Sequence, residues 1–140
     1  MKSMMKKASF AAILFAIAMM VAAPAAQATT VTEVQAMITS LKTKTETVAL
    51  SGKSADKERL TLLGKLNDAS VKVDRAKFCD AIVKLNDFKA SVNNLITVSR
   101  INQDATTGAT AQELLTDTDA IIAALNELQL QSTGGVACTF

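Results

Sequence analysis

Cys79 and Cys138, thirteen carboxylates and a complete lack of histidine set the chemistry open to this chain of 140 residues. Without an imidazole there is no Ser-His-Asp triad, no Cys-His pair and none of the commonest zinc sites. Carboxylate-pair catalysis needs two acids facing one cleft. Asp117 and Asp119 stand two apart, and residues so spaced on a helix do not share a face. Asp80 and Asp87, seven apart, lie on the solvent side of a helix, where a solvated face is the simpler reading. Asn102-Gln103-Asp104 is the nearest approach to a calcium loop, but it lacks the alternating acidic ligands and the closing bidentate Glu of an EF-hand. Gly134-Gly135 is too short for a phosphate loop and reads as a helix stop. Thr39, Thr43 and Thr47 recur every four residues and offer a hydroxyl row, against the plainer alternative of a solvated face. No catalytic residue, metal ligand or cofactor is assigned, and the chain reads as a non-enzyme.

The N-terminal stretch supplies an address. Lys2, Lys6 and Lys7 precede an apolar run from Phe10 to Ala23, then Pro24 and Ala26-Gln27-Ala28. A basic region, a short apolar run and small residues at −3 and −1 predict a secretory signal peptide over residues 1–28, cleaved between Ala28 and Thr29. The apolar run is 14 residues long, short of the roughly 20 that span a bilayer, so no stable membrane insertion is expected after cleavage. No cysteine follows it, which argues against a lipoprotein. The expected location is secreted or periplasmic, and there Cys79 and Cys138 read as a disulfide, with two free thiols as the alternative. Joining them would close a loop of about 60 residues, worth roughly 4 kcal/mol on the chain-entropy model.

Cleavage also changes the charge. The full chain has fifteen Lys and Arg against thirteen Asp and Glu; losing Lys2, Lys6 and Lys7 leaves twelve against thirteen, a net of −1. A near-neutral surface lacks the footprint of a nucleic-acid or anionic-membrane binder. Beyond the leader there is no Trp or Tyr, and only Phe78, Phe88 and Phe140 remain. That removes the aromatic platform on which a base or sugar ring stacks, though it leaves a polar sugar site open.

The positions of Gly and Pro divide the 112 residues from Thr29 into four helical segments of a single domain. Phe78, Ile82, Leu85, Phe88, Val92, Leu95 and Ile96 recur every three or four residues, predicting an amphipathic helix from an Asp74 N-cap to about Ile101, ~40 Å long. Thr110-Ala111-Gln112-Glu113 is a capping box, and Leu114, Leu115, Thr118, Ile121, Ile122, Leu125 and Leu128 follow at helical spacing. A third helix fits Ala55 to about Lys72, capped by Ser54 and packed through Leu60, Leu62, Leu63, Leu66 and Val71. Gly64 inside it either costs helix propensity or lets a neighbour approach closely. Val34, Met37, Ile38, Leu41, Thr45 and Val48 mark a first helix, although Thr43 to Val48 also alternates like a strand. With no second strand to pair, the prediction is an all-α, up-and-down four-helix bundle whose C-terminal tail is held by a disulfide.

Lys57-Glu58-Arg59-Leu60-Thr61-Leu62-Leu63-Gly64-Lys65-Leu66, Ala76-Lys77-Phe78-Cys79-Asp80-Ala81-Ile82-Val83-Lys84-Leu85-Asn86-Asp87-Phe88, Val92-Asn93, Ala111-Gln112-Glu113-Leu114-Leu115 and Ala120-Ile121-Ile122-Ala123-Ala124-Leu125 together resemble the FIMAH helical module. That pattern is a Leu-Leu-x-Lys-Leu helix, then Cys-x-x-Leu-x-x-Phe followed by Val, then a last helix with Ala-Ile-Ile-x-x-Leu and often a cysteine. The resemblance runs from about Val34 to Cys138 and rests mostly on packing positions. It implies an α-helical accessory or interaction module without catalysis, of the kind usually appended to larger secreted bacterial proteins. The chain departs from the pattern in standing alone after its leader, in the Ile82-Val83 that shifts Leu85, and in its longer tail to Cys138.

The function that follows is a non-catalytic exported module presenting a helical surface to a protein or cell-envelope partner, with no nucleic acid involved. The alternative is a carrier of a small hydrophobic ligand in a pocket lined by Leu62, Ile82, Phe88, Ile121 and Leu125.

Overall fold

A computed structural model describes residues 28–140; the expected leader, apart from Ala28, lies outside the described residues. Within them the chain forms four α-helices: α1 (Val31–Thr47), α2 (Ala55–Asp74), α3 (Phe78–Thr97) and α4 (Ala111–Thr133). Each helix packs on its neighbours in sequence, and α1 closes against α4. This is the up-and-down bundle predicted, and Cys79 and Cys138 are bonded with their Cα atoms 5.5 Å apart.

The core stripe of each helix follows the 3.6-residue period. Helix α1 contributes Val34, Ile38 and Leu41; α2 contributes Leu62, Leu66, Ala69 and Val73; α3 contributes Phe78, Ala81, Ile82, Leu85, Phe88, Val92 and Leu95. Helix α4 closes the cluster with Ala111, Leu114, Ile121, Leu125 and Leu128. Two threonines are buried among them, and each donates its hydroxyl to the carbonyl four residues back, Thr45 to Leu41 and Thr118 to Leu114. That bond satisfies a polar group which would otherwise be costly in the core. Thr43 to Val48, which also alternates like a strand, continues α1 to Thr47 before Val48 enters the core.

Helix ends are where the structure departs most from expectation. Asp74 does not cap α3. It is the last residue of α2, and its carboxylate accepts from Gln35 Nε2 at 2.7 Å, while Lys77 stands at the N-cap of α3 with no side-chain cap bond. The reason is a turn that needs neither Gly nor Pro: Ala76 takes φ +55°, and Ala76 and Lys77 donate their amides back to Val73 and Lys72. Helix α3 also stops at Thr97 rather than near Ile101, so it is ~30 Å long. Ser99 repeats the left-handed ending at φ +54°, and Ile101 then pairs with Leu50 in an isolated antiparallel bridge. Ser54 occupies the N-cap position of α2, but its hydroxyl turns to Glu58 rather than to a backbone amide. Thr110 and Glu113 do form the predicted capping box, and Thr30 and Glu33 form a second at the head of α1.

Leu60 and Val71, expected in the core, are on the outside, 70% and 44% exposed. Leucines occur on several faces of α2, and burial selects the 62-66-69-73 stripe over the opposite one. Gly64 lies on the outer side as well, and a Cβ built there meets nothing within 4 Å. No neighbour requires the glycine, so only its conformational entropy counts. Gly64→Ala is therefore expected to stabilise the protein by about 0.5–1 kcal/mol, read as a raised urea midpoint with unchanged slope.

Candidate functional site

Three of the four carboxylates weighed as catalytic pairs, Asp80, Asp117 and Asp119, lie against a lysine of a neighbouring helix. Asp117 meets Lys44 across α1 and α4 at 2.7 Å, and Asp119 pairs with Lys89 across α3 and α4. The Asp117 hydrogen bond raises the Lys44 ammonium above its ordinary pKa, against the opposing effect of burial. Both partners are about a third exposed, so solvent screening keeps the pair near the surface range of less than about 1 kcal/mol. Asp80 and Asp87 are exposed on α3, with Lys72 3.8 Å from Asp80.

The loop holding Asn102 and Asp104 is self-contained. Asn102 donates from Nδ2 to the carbonyls of Asp104 and Ala109, and its Oδ1 accepts from the Asp104 amide and the Thr107 hydroxyl. Asp104 accepts from the amide and hydroxyl of Thr106, bonds that hold its carboxyl below the usual carboxylate range. Asn102 Oδ1 and Asp104 Oδ1, two of the oxygens a calcium ion would use, accept bonds within the loop. No cluster of three or more potential metal ligands occurs among the described residues. Gly134 ends α4 in the left-handed conformation at φ +68°, with its amide and that of Gly135 closing on Leu130. Thr39, Thr43 and Thr47 are exposed on α1, each donating its hydroxyl to a carbonyl of its own helix. Their protons are committed, which leaves the row as acceptors only. Ala28 is exposed, and Thr29 beside it donates its hydroxyl to Glu127 of α4. Leu62, Ile82, Phe88, Ile121 and Leu125, the lining proposed for an internal pocket, are at most 2% exposed and belong to the one core cluster.

A different cluster had no signature in the sequence. Arg100, just past α3, lies over the start of α2 and divides its guanidinium among three partners. Nε donates to the Ser51 carbonyl at 3.1 Å, Nη2 to Ser54 Oγ at 2.7 Å, and Nη1 pairs with Glu58 Oε1 at 2.6 Å. Gly52, at φ +96°, allows this approach, because a Cβ there would sit 2.6 Å from Nη2. Since the guanidinium is shared out rather than offered as a two-toothed fork, it reaches only one carboxylate oxygen. Glu58 Oε2 is cut off from solvent and has no hydrogen-bond partner. Glu58 also lines a cleft of about 180 Å³ between α2 and α3, together with Thr61, Leu62, Ser91, Asn94 and Leu95.

No helix among the described residues is long and apolar enough to cross a membrane. The chain matches no family model, no curated protein and no solved structure.

Proposed function

We propose that this is a non-catalytic, exported helical module of the FIMAH kind, acting by presenting a rigid helix face to a protein or envelope partner. The observation that carries the reading is the outer face of α2. Leu60 and Val71 are eleven residues apart, three turns, and so share one face, with the bare backbone of Gly64 between them. A bundle whose interior is already filled gains nothing from keeping these side chains apolar, whereas a partner covering them would bury them at about 25 cal/mol per Å². The signal-like leader and the Cys79–Cys138 bond support export, and the employment of the acids in helix-helix pairs supports the absence of turnover.

The test is a comparative pull-down from envelope extract. Leu60→Lys and Val71→Lys replace surface residues and leave the fold within about 0.5 kcal/mol of the parent. A partner retained by the parent and lost by both variants is the expected result. A partner bound equally by all three places the interaction elsewhere, and an extract yielding none overturns the reading.

A further inference from the structure

We propose that the cleft between α2 and α3 is a binding site for a neutral polyol of about the size of one sugar ring. The volume, about 180 Å³, is below the roughly 300–1,000 Å³ of sites for drug-sized ligands, so the occupant is small. The lining specifies its chemistry. Leu62 and Leu95 give an apolar wall, and four polar side chains surround it. Glu58 Oε2 is an acceptor without a donor, a state that costs a buried carboxylate oxygen free energy until something fills it. Thr61 has committed its proton to the Lys57 carbonyl at 3.0 Å, so within the cleft its hydroxyl can only accept. Ser91 and Asn94 make no side-chain hydrogen bond among the described residues, and each can both donate and accept. Two acceptors and two amphoteric groups around an apolar wall complement a molecule with several hydroxyls on a carbon frame.

Arg100 decides between a neutral and a cationic ligand. Its guanidinium already neutralises Glu58 from the other oxygen, 2.6 Å away, so a second cation would meet a positive charge across the carboxylate. A hydroxyl supplies the missing donor without that repulsion. Oε2 is closed off from water, so binding requires a side chain of the cleft rim to shift before a hydroxyl can reach it. Lack of an aromatic platform limits the affinity to about 1–10 mM. This inference stands apart from the α2 outer face and does not depend on a protein partner.

The experiment is an amide-resolved NMR titration of the disulfide-bonded protein, expressed from the full chain and recovered after export, with D-glucose, myo-inositol and, for comparison, butylammonium. Saturable shifts with either polyol at Glu58, Thr61, Ser91, Asn94 and Leu95 are expected. Glu58→Gln should weaken binding about 10-fold or more, by removing a charge-assisted hydrogen bond. That variant also loses the Arg100 pair, so Ser91→Leu provides a second arm that occupies the cleft and leaves Glu58 and Arg100 in place; it should abolish the shifts. A response to butylammonium alone, shifts unaffected by Ser91→Leu, or no saturable shift with either polyol overturns the proposal.

Discussion

Breaking the Cys79–Cys138 bond is expected to lower the stability of the protein by about 4 kcal/mol and its melting temperature by ~15 °C. The cysteines are 59 residues apart, and the loop they close contains most of α3 and all of α4. In the denatured chain that closure removes more conformational freedom than a short loop would. In the folded state the bond ties the segment after Gly134 to the first turn of α3. The other hydrogen bonds of that segment are local, Gly135 to Leu130 and Val136 with Thr133, so they fix the end of α4 and not the tail. Cys138 itself is half-buried against the core, whereas Val136 and Phe140 are exposed. Reduction should therefore free the tail and leave the bundle helical, since the core stripes do not include it. Thermal melts with and without reductant, and of a Cys79→Ala/Cys138→Ala double variant, measure the loss. The intact mass should lie two hydrogens below that of the reduced chain. A midpoint that moves by less than a few degrees would show that the denatured chain is already held compact without the bond.

The elements most legible in the sequence are those whose signal is local. The Thr110–Glu113 capping box and the 3.6-residue stripes of α3 and α4 lie within a few residues of the structure they specify. The same logic applies to Thr30–Glu33, whose Thr-x-x-Glu spacing marks the head of α1 as clearly as its counterpart marks α4. The α2–α3 junction is harder to read because its left-handed residue is Ala76 rather than glycine, and Ser99 hides the end of α3 in the same way. An L-residue in that conformation costs roughly 1–2 kcal/mol, and the amides that fold back on Lys72 and Leu95 help to offset it. The choice of face on α2 is hidden for another reason. Leu60, Leu62, Leu63 and Leu66 present apolar carbon in several directions, and only the positions of α1 and α3 decide which are buried. The Glu58–Arg100 cluster is the extreme case, because it joins groups 42 to 49 residues apart with no period linking them.

Phe88 is where this packing has its largest consequence. It is fully buried near the middle of α3, and it is the largest of the side chains with no meaningful exposure. Helix α3 packs on both α2 and α4, and its stripe of seven buried residues is the longest of the four. Phe88→Ala removes a ring from that position, and every helix of the bundle is fixed by two neighbours, which limits how far the core can collapse into the space. The expected loss is about 3–5 kcal/mol, comparable with that from the disulfide. Leu60→Ala removes about half as much apolar carbon, but from an outward position 70% exposed, and should cost less than about 0.5 kcal/mol. The contrast separates burial from hydrophobicity, since both residues are apolar and both sit inside long helices. Urea unfolding of the two variants at constant slope gives the comparison directly. Combining Phe88→Ala with loss of the disulfide asks for about 8 kcal/mol, of the order of the entire stability of a domain this size, so that triple variant should be unfolded at room temperature. Near-additivity is expected if the disulfide acts on the denatured chain while Phe88 acts on the native core, two effects with no shared partner. A triple variant that keeps a cooperative melt would place the weight of the fold on its helix ends and interhelical ion pairs instead.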